Sequence, residues 1–126
     1  MHASDRNRVL VVENPGVRDL LTLGLEMAGY QVDVADDGEA GLITAAARPP
    51  AAAIIDLGVP VIDGWSLAEA LRSVFGTQIL LIALASLGEP EERERSRAAG
   101  FDTHLVRPVS PNWVNQALRQ LLAHRI

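Results

Sequence analysis

Residues 51–64, with the sequence Ala-Ala-Ala-Ile-Ile-Asp-Leu-Gly-Val-Pro-Val-Ile-Asp-Gly, decide how this chain folds. The short apolar run from Ala51 to Asp56, with two isoleucines as its most strand-like part, is typical of a strand. The run from Gly58 to Gly64 is rich in glycine and proline, which predicts a loop. A helix is predicted to follow over 65–74, with an inner face made of Leu67, Ala70, Leu71 and Val74. The stretch therefore predicts a strand, a loop and a helix, with Asp56 at the end of the strand.

The same alternation extends in both directions from this unit. Strands are predicted over 8–12, 31–35, 51–56, 79–85 and 103–106. Helices are predicted over 15–28, 39–47, 65–74 and 89–99 and from residue 111 onward. Strands that alternate with helices pair in parallel through right-handed crossovers, which gives a three-layer doubly wound sheet. The pattern predicts one α/β domain of five strands and five helices.

Composition limits what such a domain can do. The chain has 126 residues, 48% of them hydrophobic, which is enough for one core and argues against a disordered chain. Cysteine is absent, so neither disulfides nor thiolate metal sites are available. The net charge of −5 argues against nucleic-acid binding, and no apolar run is long enough to span a membrane. We expect a cytoplasmic domain over 8–124, preceded by a disordered tail over 1–7.

Candidate functional residues follow the predicted strands. They are Glu13 and Asn14 after the first strand, Asp56 and Gly58 after the third, Ala85 and Ser86 at the end of the fourth, and Arg107 after the fifth. The carboxyl ends of the strands of a doubly wound sheet meet at one rim, where ligands bind. Carboxylates and a carbonyl-rich loop offer the oxygen ligands that Mg²⁺ takes, and a cation beside Asp56 would hold an anionic phosphoryl group. The pattern predicts a small acidic pocket around Asp56.

Three stretches of the chain resemble the receiver domains of bacterial response regulators and hybrid histidine kinases. They are RVLVVE at 8–13, IIDLGVPVIDG at 54–64 and AGFDTHLVRPV at 99–109. The resemblance extends over 8–122, and the third stretch is most similar to receivers at the C-terminus of hybrid kinases. It implies a flavodoxin-like fold with the strand order 2-1-3-4-5. It also implies a role in a two-component His–Asp phosphorelay, as a phosphoacceptor and not as a classical enzyme.

The resemblance implies a role for each residue of the acidic pocket. Asp56 would accept a phosphoryl group from a phosphohistidine and form an acyl phosphate. Mg²⁺ would be held by Glu13, Asn14, Asp56 and the backbone carbonyl of Gly58. Arg107 takes the position of a lysine that contacts the phosphoryl oxygens, and its bond to the following proline is expected to be cis.

Several of these positions depart from the usual residues of the family. Asn14 replaces a carboxylate, which predicts a weakened Mg²⁺ site, and it could instead serve only to cap the first helix. Ala85 occupies the switch position without the usual hydroxyl. Ser86 could substitute for it only if the strand bulged or ended early, because successive residues of a strand point to opposite faces. Arg107 keeps a positive charge but can bind an anion through two nitrogens.

Two functions of different classes remain open at this point. The first is a receiver that accepts a phosphoryl group on Asp56 from a histidine kinase or a phosphotransfer protein. The second, suggested by Asn14 and Ala85 together, is a degenerate receiver that binds partners without phosphorylation. In either case the resemblance implies a partner or dimer surface on the fourth helix, fifth strand and fifth helix. His104, at the position of the switch aromatic, and Trp113 belong to that surface.

Overall fold

The structure, a computed structural model, describes residues 5–86 and 88–123. Within these residues five strands alternate with five α-helices. The strands are β1 (Asp5–Val12), β2 (Gln31–Ala35), β3 (Pro50–Asp56), β4 (Leu80–Ala85) and β5 (Thr103–Val106). The helices are α1 (Pro15–Met27), α2 (Gly38–Ala47), α3 (Gly64–Phe75), α4 (Pro90–Ala99) and α5 (Pro111–Ala123). A single 3-10 turn, Gly76–Gln78, joins α3 to β4.

All five strands are parallel and form one sheet in the order β2-β1-β3-β4-β5, which confirms the predicted fold class and strand order. The order reverses between β1 and β3, which are direct neighbours. Val12 at the end of β1 lies opposite Ile55, and Asp56 at the end of β3 lies opposite Leu84. The carboxyl ends of the central strands are therefore level, and the crevice where ligands bind in such sheets lies between β1 and β3.

Helices cover both faces of the sheet, because alternate residues of each strand point to opposite sides. Val9 and Val11 of β1 pack with buried residues of α1 and α5. Leu10 and Val12 pack on the opposite face with buried residues of α2, α3 and α4. The three layers follow from strands that are apolar on both faces. No helix in the described part of the chain combines the length and the apolar character that a membrane span needs.

The predicted start of the first strand at Arg8 is wrong, because β1 begins at Asp5 and pairs there with Pro50. Strand pairing uses backbone amides and carbonyls, so a polar sequence does not prevent it. The segment predicted as a disordered tail is therefore partly strand. Residues 1–4, the rest of that tail, and residue 124, the end of the predicted domain, lie outside the described residues.

The other predicted ends of strands and helices differ from the observed ones by at most one residue. One side chain on α3 was assigned to the wrong face. Val74 was expected on the inner face, but it is 66% exposed. Phe75, four residues after the buried Leu71, packs against the core instead. Residues three or four positions after Leu71 can both lie on the same helical face. The sequence pattern alone therefore does not decide whether Val74 or Phe75 packs against the core.

Arg72 of α3 ties together the segments that enter β4 and β5. Its guanidinium donates to the backbone carbonyls of Gly76, Ile79 and Gly100 and to the carboxylate of Asp102, which it contacts at 3.0 Å. Backbone carbonyls at the ends of helices lack partners within the helix. Arg72 supplies donors to several of these groups at once.

We expect Arg72→Met to lower the free energy of unfolding by about 2 kcal/mol, because partly buried acceptors lose a charged donor. Urea unfolding followed by circular dichroism measures this change. Arg97→Met is the matched control, since Arg97 is an exposed arginine of α4 that pairs with Glu94 of the same helix. Its loss should stay below about 0.5 kcal/mol. Equal losses in the two variants would contradict a structural role for the Arg72 contacts.

Candidate functional site

Two carboxylates lie side by side where β1 and β3 end. Glu13 extends the pairing of β1 by one residue, because its backbone amide donates to the carbonyl of Ala35 at 3.1 Å. Its side chain is fully buried. Asp56 is the last residue of β3, and its side chain is 19% exposed. Of these two acids, only Asp56 lines the open cleft at the carboxyl ends of the strands.

Arg107 joins these two carboxylates. It follows β5, where its backbone amide donates to the carbonyl of Ala85 at 2.8 Å. Its Nη2 donates to Oε2 of Glu13 and lies 3.3 Å from Oδ1 of Asp56. The bond between Arg107 and Pro108 is cis, as predicted. The convergence of the residues that follow β1, β3 and β5 is thus observed.

The surroundings of Glu13 and of Arg107 shift the pKa of each of these two groups. Burial raises the pKa of Glu13, and the nearby charge of Asp56 adds to this effect. The hydrogen bonds from Arg107 and from the backbone of Asn14 oppose it. Burial by itself would lower the pKa of Arg107, but its bonds to Glu13 and Asp56 outweigh that and raise the pKa. The group therefore contains a permanent cation that stabilises two neighbouring carboxylates.

Asn14 acts as a helix cap and as a partner of Glu13. Its Oδ1 accepts from the backbone amide of Val17 at 3.3 Å, which caps α1. Its Nδ2 and its backbone amide donate to Oε1 of Glu13 at 3.2 and 3.0 Å. Both ends of the side-chain amide are therefore bonded within the protein, and the bond to Val17 is the one that caps the helix.

The oxygen atoms that could bind a metal here are not arranged to bind a Mg²⁺ ion. Mg²⁺ requires oxygen ligands in near-octahedral geometry. Within the described residues, no three acidic or histidine side chains come together as a metal-binding group. Both oxygens of Glu13 accept hydrogen bonds, and Oδ1 of Asp56 faces Arg107 and the backbone amide of Gly58 at 3.3 Å. The guanidinium of Arg107 occupies the position from which an ion would contact both carboxylates.

Above this group lies an open cleft of about 460 Å³. It is lined by Asn14, Val17, Asp56, Leu57, Gly58, Trp65, Ser86, Glu92 and Arg107. Ala85 is buried in the core and does not line the cleft, whereas Ser86 does. The strand ends at Ala85, so the alternation that would turn Ser86 away no longer applies. A hydroxyl group therefore lies at the cleft wall, one residue after the predicted switch position.

Trp65 and Glu92 were not predicted to line the site. The indole Nε1 of Trp65 donates to Oγ of Ser96 at 3.1 Å, and the guanidinium of Arg95 lies 3.9 Å from the ring centre. Trp65 follows the loop after Asp56 in the first turn of α3, which was a usable signal for its position. Glu92 gave no such signal, because sequence pattern does not fix the orientation of α4 relative to β4.

His104 lies on β5 with its side chain near Glu92 of α4, and that side chain is only 8% exposed. Its Nε2 is 3.7 Å from Oε1 of Glu92, and neither ring nitrogen has a hydrogen-bond partner among the described residues. Burial lowers the pKa of His104, and the positive charge of Arg93 adds to this, while Glu92 opposes it. Trp113 is exposed in the first turn of α5, as predicted.

We expect folding stability to fall as the pH drops below 6.5, the ordinary pKa of histidine. The folded protein keeps His104 neutral to a lower pH than the unfolded chain does. The unfolded chain therefore binds the proton first and gains stability relative to the folded state. His104→Phe should remove this part of the pH dependence, which urea midpoints between about pH 5 and pH 8 would show. An identical pH profile in the variant would contradict the assignment to His104.

Comparison with known proteins finds matches both in sequence and in fold. Residues 9–119 match the sequence profile of the response regulator receiver domain. The DNA-binding dual master transcriptional regulator RpaA of Synechocystis sp. is 32% identical over 117 residues, which are 91% of this chain and 48% of that protein. The chain thus spans about half the length of the curated relatives it matches, with 49% and 48% of the first two covered.

Solved structures show the same fold. Chemotaxis protein CheY4 of Vibrio cholerae has a TM-score of 0.84 and 27% identity, and the match covers 92% of this chain and 98% of that one. The receiver domain of sensor histidine kinase PA1611 from Pseudomonas aeruginosa PAO1 has a TM-score of 0.84 and 25% identity, covering 94% and 99%. The latter structure has a magnesium ion coordinated in its active site cleft.

Proposed function

The chain belongs to the response regulator receiver domain family, and on this premise we propose that Asp56 accepts a phosphoryl group from a phosphohistidine. The donor would be a histidine kinase or a phosphotransfer protein. The observation that supports this most strongly is the position of Asp56 at the β1–β3 crevice. Its carboxylate reaches the open cleft, while the neighbouring Glu13 is fully buried and has no route to a substrate.

The contacts of Asp56 favour one of its oxygens as the nucleophile. Oδ1 accepts from the backbone amide of Gly58 and faces Arg107. Oδ2 is then the oxygen that attacks phosphorus, and the bond from phosphorus to the donor nitrogen breaks as the new P–O bond forms. The leaving nitrogen takes up a proton. Arg107 stabilises the negative charge on the phosphoryl oxygens through charge-assisted hydrogen bonds.

The Mg²⁺ site that the family implies would be weakened in this chain. Glu13, Asp56 and the carbonyl of Gly58 are the remaining ligands, because the amide of Asn14 caps α1 and bonds Glu13. Mg²⁺ favours carboxylate ligands, and one of the two expected after β1 has been replaced by a neutral amide. We therefore expect a lower affinity for Mg²⁺ than in receivers with two acids at this point.

Signal output would differ from the usual pattern as well. Ala85 has no hydroxyl to bond a phosphoryl oxygen, and Ser86 at the cleft wall is the substitute that the chain offers. Partners or a second copy would bind the face of α4, β5 and α5, which carries His104 and Trp113. We propose a cytoplasmic receiver over 8–124 that binds no nucleic acid itself and catalyses at most its own phosphorylation and dephosphorylation. The family matches do not favour the alternative of a module independent of phosphorylation.

Incubation with acetyl phosphate and Mg²⁺, followed by intact-protein mass spectrometry, tests the proposed function. We expect the protein to gain one phosphoryl group, which hydroxylamine removes because it is an acyl phosphate. Peptide mapping after reductive trapping should place it within residues 50–64. A protein that gains no phosphoryl group, or carries it on another segment, would contradict the proposal.

A further inference from the structure

A single nitrogen of Arg107 lies between the two carboxylates of the site. Nη2 donates to Glu13 and is 3.3 Å from Oδ1 of Asp56. The backbone of the arginine is fixed next to them, because its amide donates to the carbonyl of Ala85 at 2.8 Å. The end of the sheet thus fixes the backbone from which this side chain extends, and the two carboxylates hold its guanidinium.

Glu13 depends on this cation. A buried carboxylate without a partner is costly, and the side chain of Glu13 is fully buried. Oε1 accepts from two N–H groups of Asn14, and Oε2 accepts from Arg107. A divalent ion placed between Glu13 and Asp56 would meet Arg107, which contacts both carboxylates, and displacement of Arg107 would remove the cation from both of them.

We propose that Arg107 is the resident cation of this site and takes the place of a divalent ion between Glu13 and Asp56. This inference rests on the proposed function, since it states how Asp56 meets an anionic phosphoryl group. A guanidinium carries five N–H donors in a fixed plane, so it can keep its bond to Glu13 while other N–H groups reach the phosphoryl oxygens. Mg²⁺ and Arg107 then compete for the same carboxylates, and Asp56 accepts the phosphoryl group without Mg²⁺.

Mg²⁺ titration by isothermal calorimetry tests the competition directly, without any measurement of phosphorylation. Arg107→Met keeps the length of the side chain and removes its charge. We expect this variant to bind Mg²⁺ at least about tenfold more tightly than the unmodified protein, because both carboxylates become available. Arg18→Met is the matched control. It also removes one positive charge near the same rim, but Arg18 pairs with Asp36 and touches neither Glu13 nor Asp56.

The control should bind Mg²⁺ within about twofold of the unmodified protein, which separates direct competition from a general change in charge. Mg²⁺ affinity in Arg107→Met that is equal to or weaker than that of the unmodified protein would overturn the proposal. Equal tightening in both variants would overturn it as well. If Arg107→Met fails to fold, Arg107→Lys serves instead. Lysine is a compact point charge that cannot bond Glu13 and Asp56 in the same way, so tighter Mg²⁺ binding is again expected.

The second part of the proposal is that Asp56 accepts a phosphoryl group without Mg²⁺. Phosphorylation by phosphoramidate in the presence of EDTA tests it. The unmodified protein should be labelled on Asp56 at a similar rate with EDTA and with Mg²⁺, whereas Arg107→Met should require Mg²⁺. Labelling of the unmodified protein only with Mg²⁺ would overturn the inference and leave the proposed function intact. A protein that is labelled under neither condition would contradict the proposed function, and the Mg²⁺ titration would still decide whether Arg107 is the resident cation.

Discussion

The Asp56→Asn protein takes up no phosphoryl group from acetyl phosphate or phosphoramidate, although it remains folded. This is the largest functional effect we expect from a single substitution. A carboxamide has the same shape as a carboxylate, but its oxygen is far less nucleophilic and it cannot form a stable acyl phosphate. The fold survives because Arg107 keeps its bond to Glu13, and the substituted side chain remains partly exposed.

Asp63→Asn is the control for this experiment. Asp63 lies in the loop that follows Asp56, and its Oδ1 accepts from the backbone amide of Ser66 at 2.8 Å, which caps α3. Asparagine caps helices as well as aspartate does, so stability should change little. The control should gain one phosphoryl group as the unmodified protein does. Labelling of Asp56→Asn to the same extent would show that another residue is the acceptor.

Gly38→Ala lowers the free energy of unfolding by about 3 kcal/mol, which is the largest stability effect we expect in the loop region. Gly38 opens α2, and its amide donates to the carbonyl of Pro60 at 3.1 Å. A Cβ atom added there would lie 2.7 Å from Cβ of Ile62 and would also overlap the carbonyl oxygen of that residue. The loop that carries Gly58 would have to move, so labelling of Asp56 should slow as well.

Gly16→Ala shows whether this loss is specific. Gly16 lies in the first turn of α1, where an added Cβ would come no closer than 3.5 Å to Oδ1 of Asn14. Alanine favours helix over glycine by up to about 1 kcal/mol, so this variant should be as stable as the unmodified protein or more stable. Chemical denaturation measures both variants. A Gly38→Ala protein with an unchanged midpoint would contradict the close packing of the loop on α2.

The fold could be predicted from the sequence because local patterns and topology agree. The strands are short apolar runs, and each is followed by a helix with an apolar face, which leaves one common architecture. The failures are local ones. The first strand was predicted too short because pairing at Asp5 uses backbone groups, and Val74 was placed inward because helical spacing tolerates either of two neighbours.

The site could be predicted only in part. The rule that strand ends converge brought Glu13, Asp56 and Arg107 together, and their contacts agree with it. The rule does not say which groups form hydrogen bonds with each other. The sequence therefore did not predict that Arg107 contacts both carboxylates, or that Asn14 both caps α1 and donates to Glu13. The orientation of α4, which brings Glu92 to the cleft, depends on packing and not on any motif.

The bond between Arg107 and Glu13 joins residues that are 94 positions apart in the chain. Contacts of such long range close a large loop, and they form late when a chain folds or is synthesised. Before β5 has formed, Glu13 lacks the positive charge that stabilises it as a buried carboxylate. Asp56 lacks the neighbouring guanidinium that would help it to bind an anion. The group of three charged side chains is therefore complete only after the last of the five strands has formed, so an unfinished chain on the ribosome contains Glu13 and Asp56 but not the arginine that joins them.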